Sequence, residues 1–252
     1  MRISAAFNRI NESGKTGVIP YIMAGDPDLE TTARAVQELA AAGADLIELG
    51  VPFSDPVADG PVIQQAGQRA LKSGTTLEGI LEMVSRLREQ GFETPLLLMS
   101  YYNPIYNRGL AEAASRFAAA GVDGLIIPDL PPEEGGELES ELKKHGIDLV
   151  YLLAPTSSDE RIKEVASRAS GFIYCVSLTG VTGARGELPV ELPLFLGRVR
   201  KATSLPLAVG FGISTSRQVR EVGRVADAAI IGSALIDESG PRTDVFREII
   251  SG

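Results

Sequence analysis

GADLIELG, residues 43–50, closes one pattern and opens another. Glycine after a helical stretch is the residue best able to take the left-handed conformation that stops a helix. The run that follows, DLIELG (45–50), has the length and apolar content of a short strand. The same junction recurs at Gly121-Val-Asp123, ahead of GLIIPD (124–129), and at Gly146-Ile-Asp148, which opens DLVYLLAP (148–155). VIPYIMAG (18–25), PLLLMS (95–100), FIYCVS (172–177), PLAVGFG (206–212) and AAIIGS (228–233) bring the set to eight. Between the runs lie amphipathic stretches such as Leu77, Ile80, Leu81, Val84 and Leu87, or Ile162, Val165, Ala166 and Ala169. Their spacing is that of a helix burying one stripe. Short, continuous apolar strands joined through helices are parallel and covered on their outer face. An open doubly wound sheet would satisfy this too, but eight even units in 252 residues favour an α/β fold closed as a (β/α)8 TIM barrel. No linker or shift in composition divides the chain, so 1–252 reads as one barrel domain. Residues 2–13 are expected as an extra helix closing the barrel bottom and 241–251 as a terminal helix.

Composition narrows the function. Lys and Arg number 24 against 33 Asp and Glu, a net charge of −9 without a basic block, which disfavours nucleic acid and anionic membranes as partners. Cys175 is the single cysteine, so no internal disulfide can form, in keeping with a reducing compartment. MRISAAFNRINESGKTG at the start lacks the apolar core of a signal peptide, and no run approaches the ~20 apolar residues of a membrane span. A cytoplasmic location is expected. One histidine and one cysteine cannot assemble a His/Cys zinc site. His145, in ELKKHGIDL, falls at a helix end, where a cation complements the dipole. None of the six lysines ends an apolar run, where a Schiff-base lysine would stand. An enzyme built from this inventory works with carboxylates.

In such barrels the chemistry sits at the C-terminal ends of the strands. The polar residues there are Gly25, Asp26 and Pro27 after the first run, Glu48 in the second, Asp129 in the fourth and Tyr174 in the sixth. Glu48 shares a strand face with Leu46 and Gly50, opposite Ile47 and Leu49. A lone carboxylate against the helices is costly, so Glu48 is expected inside, near the mouth, either as an acid–base group with a raised pKa or as a buried ion-pair partner. The following loop, GVPFSDPVADGP (50–61), offers Asp55 and Asp59 among three prolines. It reads as a carboxylate-holding loop, a plain turn, or, with Glu48, a hard-oxygen metal cluster. Late in the chain, GVTGARG (180–186), Gly210-Phe-Gly212-Ile-Ser214 and Gly232-Ser233 present small residues where barrel enzymes hold a substrate phosphate, with tight turning as the alternative. A dinucleotide fingerprint lacks its third glycine.

IELGVPFSDPVADGP (47–61) closely resembles the signature of the tryptophan synthase alpha subunit family. YIMAGDPD (21–28), LLLMSYYNPIYNRG (96–109), LIIPDLPPEE (125–134), SLTGVTGARG (177–186), VGFGIS (209–214) and IIGSAL (231–236) extend the likeness along the whole chain. The resemblance implies retro-aldol cleavage of indole-3-glycerol phosphate to indole and glyceraldehyde 3-phosphate, with Glu48 and Asp59 as the catalytic pair and Tyr174 supporting Glu48. It implies phosphate binding by Gly183, Gly212, Gly232 and Ser233, and an indole wall from Tyr21, Met99, the Ile126 region and Phe211. Loops 52–60 and 178–190 resemble lids, with Thr182 fixing Asp59 on closure. No metal or cofactor is expected on this chain. The family's pyridoxal phosphate belongs to a beta subunit, the implied partner in an α2β2 assembly. YYNPIYN (101–107) and the Asp55-Pro56 loop resemble the surface facing it. A stand-alone lyase and a non-catalytic phosphate-ester sensor remain as alternatives. The sensor has no need of an acid–base pair.

Overall fold

The computed structural model describes residues 1–177, 191–210 and 212–252. Eight parallel strands close a barrel in chain order: β1 (Gly17–Met23), β2 (Ile47–Gly50), β3 (Leu96–Met99), β4 (Gly124–Ile126), β5 (Asp148–Leu153), β6 (Ile173–Val176), β7 (Leu207–Gly210) and β8 (Ala228–Ile231), with β8 returning to β1. All eight apolar runs hold strands, whose ends differ from the runs by a few residues. β4 stops at Ile126, so Asp129 lies beyond it, exposed, where its Oδ1 accepts the Tyr102 N–H at 2.9 Å.

The helices are α1 (Arg2–Ser13), α2 (Leu29–Ala42), α3 (Pro61–Lys72), α4 (Leu77–Glu89), α5 (Tyr102–Tyr106), α6 (Leu110–Ala120), α7 (Gly136–Lys144), α8 (Asp159–Arg168), α9 (Leu192–Ala202), α10 (Ser216–Val222) and α11 (Thr243–Ser251). Two helices, not one, fill the β2–β3 and β3–β4 crossings. After β8 a short 3₁₀ turn (Ser233–Leu235) leads into a hairpin of β9 (Ile236–Asp237) and β10 (Gly240–Pro241), which the sequence reading did not foresee. Among the described residues, no helix is long and apolar enough to cross a membrane.

Strand alternation sorts the side chains into two cores. Ile47, Leu49, Leu96, Leu98, Cys175, Leu207 and Val209 face outward onto helix stripes such as Ile80, Val84 and Leu87 of α4. Ile19, Leu46, Leu97, Ile126, Val150, Phe172, Ala208 and Ile230 fill the interior. α1 closes the bottom as expected. Its Ile3, Ala6, Phe7 and Ile10 are buried against that interior, with the Phe7 and Phe172 rings 5.5 Å apart. Burying such an apolar face stabilises a helix of this length more than its propensity does.

The repeated glycine–aspartate junctions explain the closed base. Gly43, Gly121 and Gly146 take φ of 110°, 85° and 69°, the left-handed stop. The aspartates then bind strand ends. Asp45 donates its N–H to the Val18 carbonyl at 3.0 Å and accepts the Val18 N–H on Oδ2 at 2.9 Å. Asp123 does the same with Leu96 (2.9 and 2.9 Å), and Asp227 with Leu207 (2.9 and 2.7 Å). Arg88 adds a 2.6 Å ion pair to Asp123, and Arg200 one of 2.5 Å to Asp227. Each clamp satisfies a strand-end amide that would otherwise be orphaned at the rim. His145 follows α7 as its exposed C-terminal cap.

Candidate active site

At the opposite rim the carboxylates are treated differently. Glu48 pairs in register with Tyr21 of β1 and Leu97 of β3, on the inward face with Leu46. It is 0% exposed, and among the described residues neither carboxylate oxygen has a hydrogen-bond partner. Among the described residues no cation pairs with Glu48, so the ion-pair alternative finds no support there. Burial in this apolar setting pushes its pKa up to about 8, so the side chain is protonated at neutral pH.

Asp59 lies in the loop between β2 and α3, half-buried. Desolvation raises its pKa to about 6, opposed by a hydrogen bond from the Tyr101 hydroxyl. Tyr101, just after β3, is itself buried, and its hydroxyl accepts the Ala58 N–H at 2.9 Å. Its ring stacks on Phe53 at 5.2 Å. One phenol therefore pins the loop backbone and orients the carboxylate. Sequence reading missed Tyr101, although the strand-end rule that found Glu48 would have pointed to it.

Two further phenols flank Glu48. Tyr21 and Tyr174 are buried, and burial lifts both hydroxyls well above their ordinary pKa, with the Glu48 charge adding to each. Asp59 adds to Tyr21 as well. Each ring lies across a neighbouring strand at a glycine: a Cβ on Gly50 would stand 2.1 Å from the Tyr21 hydroxyl, and one on Gly210 2.4 Å from that of Tyr174. These glycines are part of the site because any side chain would displace a tyrosine. Met99 joins the Tyr21, Met23, Ala66 and Ile236 cluster at the same rim, and Ile126 is fully buried inside.

The turns expected to hold a phosphate lie beyond β7 and β8. Gly232 is half-buried and Ser233 exposed at the start of the 3₁₀ turn. Gly212 has φ 82°. The amides just after it are not available, contrary to the expectation for that helix start. Gln218 Oε1 accepts the Ser214 N–H at 2.9 Å and the Thr215 N–H at 3.2 Å, completing a capping box on α10. Thr182, Gly183 and Phe211, with the whole 178–190 loop, lie outside the described residues.

Asp55 is exposed and does not join Glu48. Among the described residues no group of three His, Cys, Asp or Glu side chains could hold a metal ion. Asp26 is buried against Arg69 and so is not a free acid. A cavity of about 300 Å³ opens beyond β5 and β6, lined by Pro155, Thr156, Leu192, Phe195 and Arg198, and touches neither Glu48 nor Asp59. At the rim beside Asp59, Val57 is 84% and Tyr106 60% exposed, with the Tyr102 and Tyr106 rings 5.6 Å apart.

A buried acid beside a poised carboxylate, ringed by phenols and by glycine turns, can move protons on a substrate that also carries an anion. The chain as a whole is similar to known proteins. The family model for the tryptophan synthase alpha chain matches residues 7–248. The tryptophan synthase alpha chain of Roseiflexus sp. (strain RS-1) is 54% identical over 236 residues, covering 94% of this chain and 90% of that protein. That of Caulobacter sp. (strain K31) is 53% identical over 237 residues, covering 94% and 86%. Among solved structures, the tryptophan synthase subunit alpha of Legionella pneumophila superposes with a TM-score of 0.88 at 37% identity, covering 99% of this chain and 98% of that one. A chain from the structure of the tryptophan synthase α2β2 complex of the hyperthermophile Pyrococcus furiosus superposes at 0.86 and 38% identity, covering 94% and 96%.

Proposed function

The chain belongs to the tryptophan synthase alpha chain family, and from that premise we propose that it cleaves indole-3-glycerol phosphate to indole and glyceraldehyde 3-phosphate. The observation that carries this reading is the buried, unpartnered Glu48 carboxyl at the barrel mouth. Protonated at neutral pH, it delivers a proton to indole C3. The carbon–carbon bond then breaks as the adjacent side-chain hydroxyl becomes the aldehyde, its electrons returning to the indole ring. Glu48, now ionised, takes the hydroxyl proton and is restored. Asp59, ionised, accepts the indole N–H and stabilises the positive charge on the ring nitrogen. Tyr101 holds Asp59 for this role, and Tyr174 and Tyr21 shape the space around Glu48. Met99 and Ile126 line the indole side. Gly212, Gly232 and Ser233, together with Gly183, receive the phosphate. Phe211 would complete the indole wall, and Thr182 would fix Asp59 as the loop shuts.

Proton transfer between carboxylates and a carbon acid needs no metal or cofactor on this chain. Indole is passed to a beta subunit carrying pyridoxal phosphate, in an α2β2 assembly in the cytoplasm. The exposed apolar rim at Val57 and Tyr106 supports that docking, since apolar and aromatic residues at a rim suit an interface.

Activity requires Glu48 protonated and Asp59 ionised, so turnover should fall on either side of a plateau between about 6 and about 8. The test is indole release from indole-3-glycerol phosphate with and without a purified beta chain. Slow release alone and strong stimulation by the partner are expected. Fast, unstimulated release would make the chain a free-standing lyase, and no release under either condition would reject the reading.

A further inference from the structure

Helix α3 connects two parts of the mouth that the chemistry uses separately. It begins two residues after Asp59, and Gln64 Nε2 ties it back to the Asp59 carbonyl at 2.9 Å. Its inner face, Ala66 and Ala70, packs with Tyr21, Met23 and Ile236. Near its other end Arg69 makes a three-point contact. Nε donates to Asp26 Oδ1 at 2.7 Å, Nη2 to Asp26 Oδ2 at 2.6 Å, and the same Nη2 to the Asp237 carbonyl at 2.7 Å. Asp26 is 1% exposed and follows β1, while Asp237 ends the segment that starts at Gly232-Ser233.

Nearby contacts stiffen the same junction. Ser73 Oγ donates to the Gly25 carbonyl at 3.1 Å, and Thr32 Oγ1 accepts the Gly25 N–H at 2.9 Å. Thr75 fills the space where a Gly25 side chain would be. A guanidinium fork on a buried carboxylate fixes direction as well as distance, unlike a solvated surface pair.

We propose that Arg69 is a positioning residue that locks α3 to the end of β1 and to β9, holding Asp59 and the Gly232-Ser233 turn in one fixed geometry. The inference rests on the roles proposed above for Asp59 and for that turn. Arg69 itself touches no reacting atom: a rise of about 1.5 Å per residue sets it roughly 12 Å along α3 from the helix start. Its effect passes through the helix to a carboxylate faced by Tyr101 from the end of β3 and by Tyr21 from β1, with Glu48 of β2 beyond Tyr21.

The test uses R69K, which keeps the charge and loses the fork, and D26N/R69Q, which leaves no buried charge unpaired. The full-length chain is assayed with the beta chain present. In both variants kcat should fall about tenfold, as expected when a reacting group is displaced by a fraction of an ångström. Inorganic phosphate should bind about threefold or more weakly as its turn loosens. The acid limb of the pH profile should drop by about one unit as Asp59 gains solvent, with the Glu48 limb unmoved. Carboxyl ¹³C NMR titration of Asp59 in the substrate-free chain reads the same shift without turnover. Unchanged Asp59 ionisation, or an Asp59 shift with phosphate binding intact, overturns the coupling even if the melting temperature falls. If wild-type chain cleaves no indole-3-glycerol phosphate, the functional reading fails, and the NMR and phosphate-binding arms still decide the lock.

Discussion

The two rims of the barrel handle carboxylates in opposite ways. At the bottom, Asp45, Asp123 and Asp227 each accept a strand-end amide, and two of them also hold an arginine. At the top, Glu48 is more deeply buried than any of them and has no partner among the described residues. A satisfied buried acid adds to the fold, whereas an unsatisfied one costs stability and keeps its proton available. The contrast separates residues that build the barrel from those that use it. Asp148 is the exception at the bottom. It is buried, its pKa is raised chiefly by desolvation, and its Oδ2 has no partner.

The largest test is E48Q. Loss of the proton shuttle should lower kcat by about 10²–10⁴. The same change should stabilise the chain at alkaline pH. The folded pKa of about 8 exceeds the ordinary 4.5, so the fold is most stable with Glu48 protonated and weakens as pH climbs through that window. By pH 9 the gain for E48Q should be on the order of 4 kcal/mol in urea melts. A variant less stable than wild type there would erase the contrast. Next, D123A should cost about 3 kcal/mol or more, because it leaves Arg88 and the Leu96 amide without their partner. Indole release per folded molecule should not change. A drop in kcat at constant folded fraction would show that the bottom rim also serves the chemistry.

Y101F sharpens the upper half of the comparison. It should reduce kcat about tenfold and shift the acid limb upward, since the lost hydroxyl is what lowers the Asp59 pKa. A downward shift would mean that Tyr101 acts mainly by excluding water. The smallest effect is expected for D148N, which should stabilise by about 1 kcal/mol at pH 7 with activity unaltered, because it removes a poorly solvated charge. Destabilisation on the scale of D123A would place Asp148 with the other clamps.

The barrel was legible because each strand is a short apolar run between helices, a local signal repeated eight times and marked three times by the glycine stop seen at 43–50. Glu48 was legible because alternation within LIELG admits one charge and one face. What sequence did not reveal depends on distance in three dimensions. Tyr101 stands at a strand end but nothing local ties it to Asp59, 42 positions away, and Arg69 reads as an ordinary helix residue until the fold brings it to Asp26, 43 positions away. Gly50 and Gly210 read as strand ends, and only the tyrosine hydroxyls beside them explain the missing side chains. The Gln218 cap removed two expected anion-binding amides for the same reason: a side chain four residues on reached them first.

The helical plug at the barrel bottom has a consequence for how the chain is made. Phe7 leaves the ribosome well before its partner Phe172, which emerges roughly 165 residues later. At about 5–20 residues per second that is an interval of roughly 8–30 s. Throughout it, Ile3, Phe7 and Ile10 have no finished barrel to enter. A helix made before every strand it packs against is thus among the last to find its place, and the growing chain carries a sticky amphipathic segment until the later strands close.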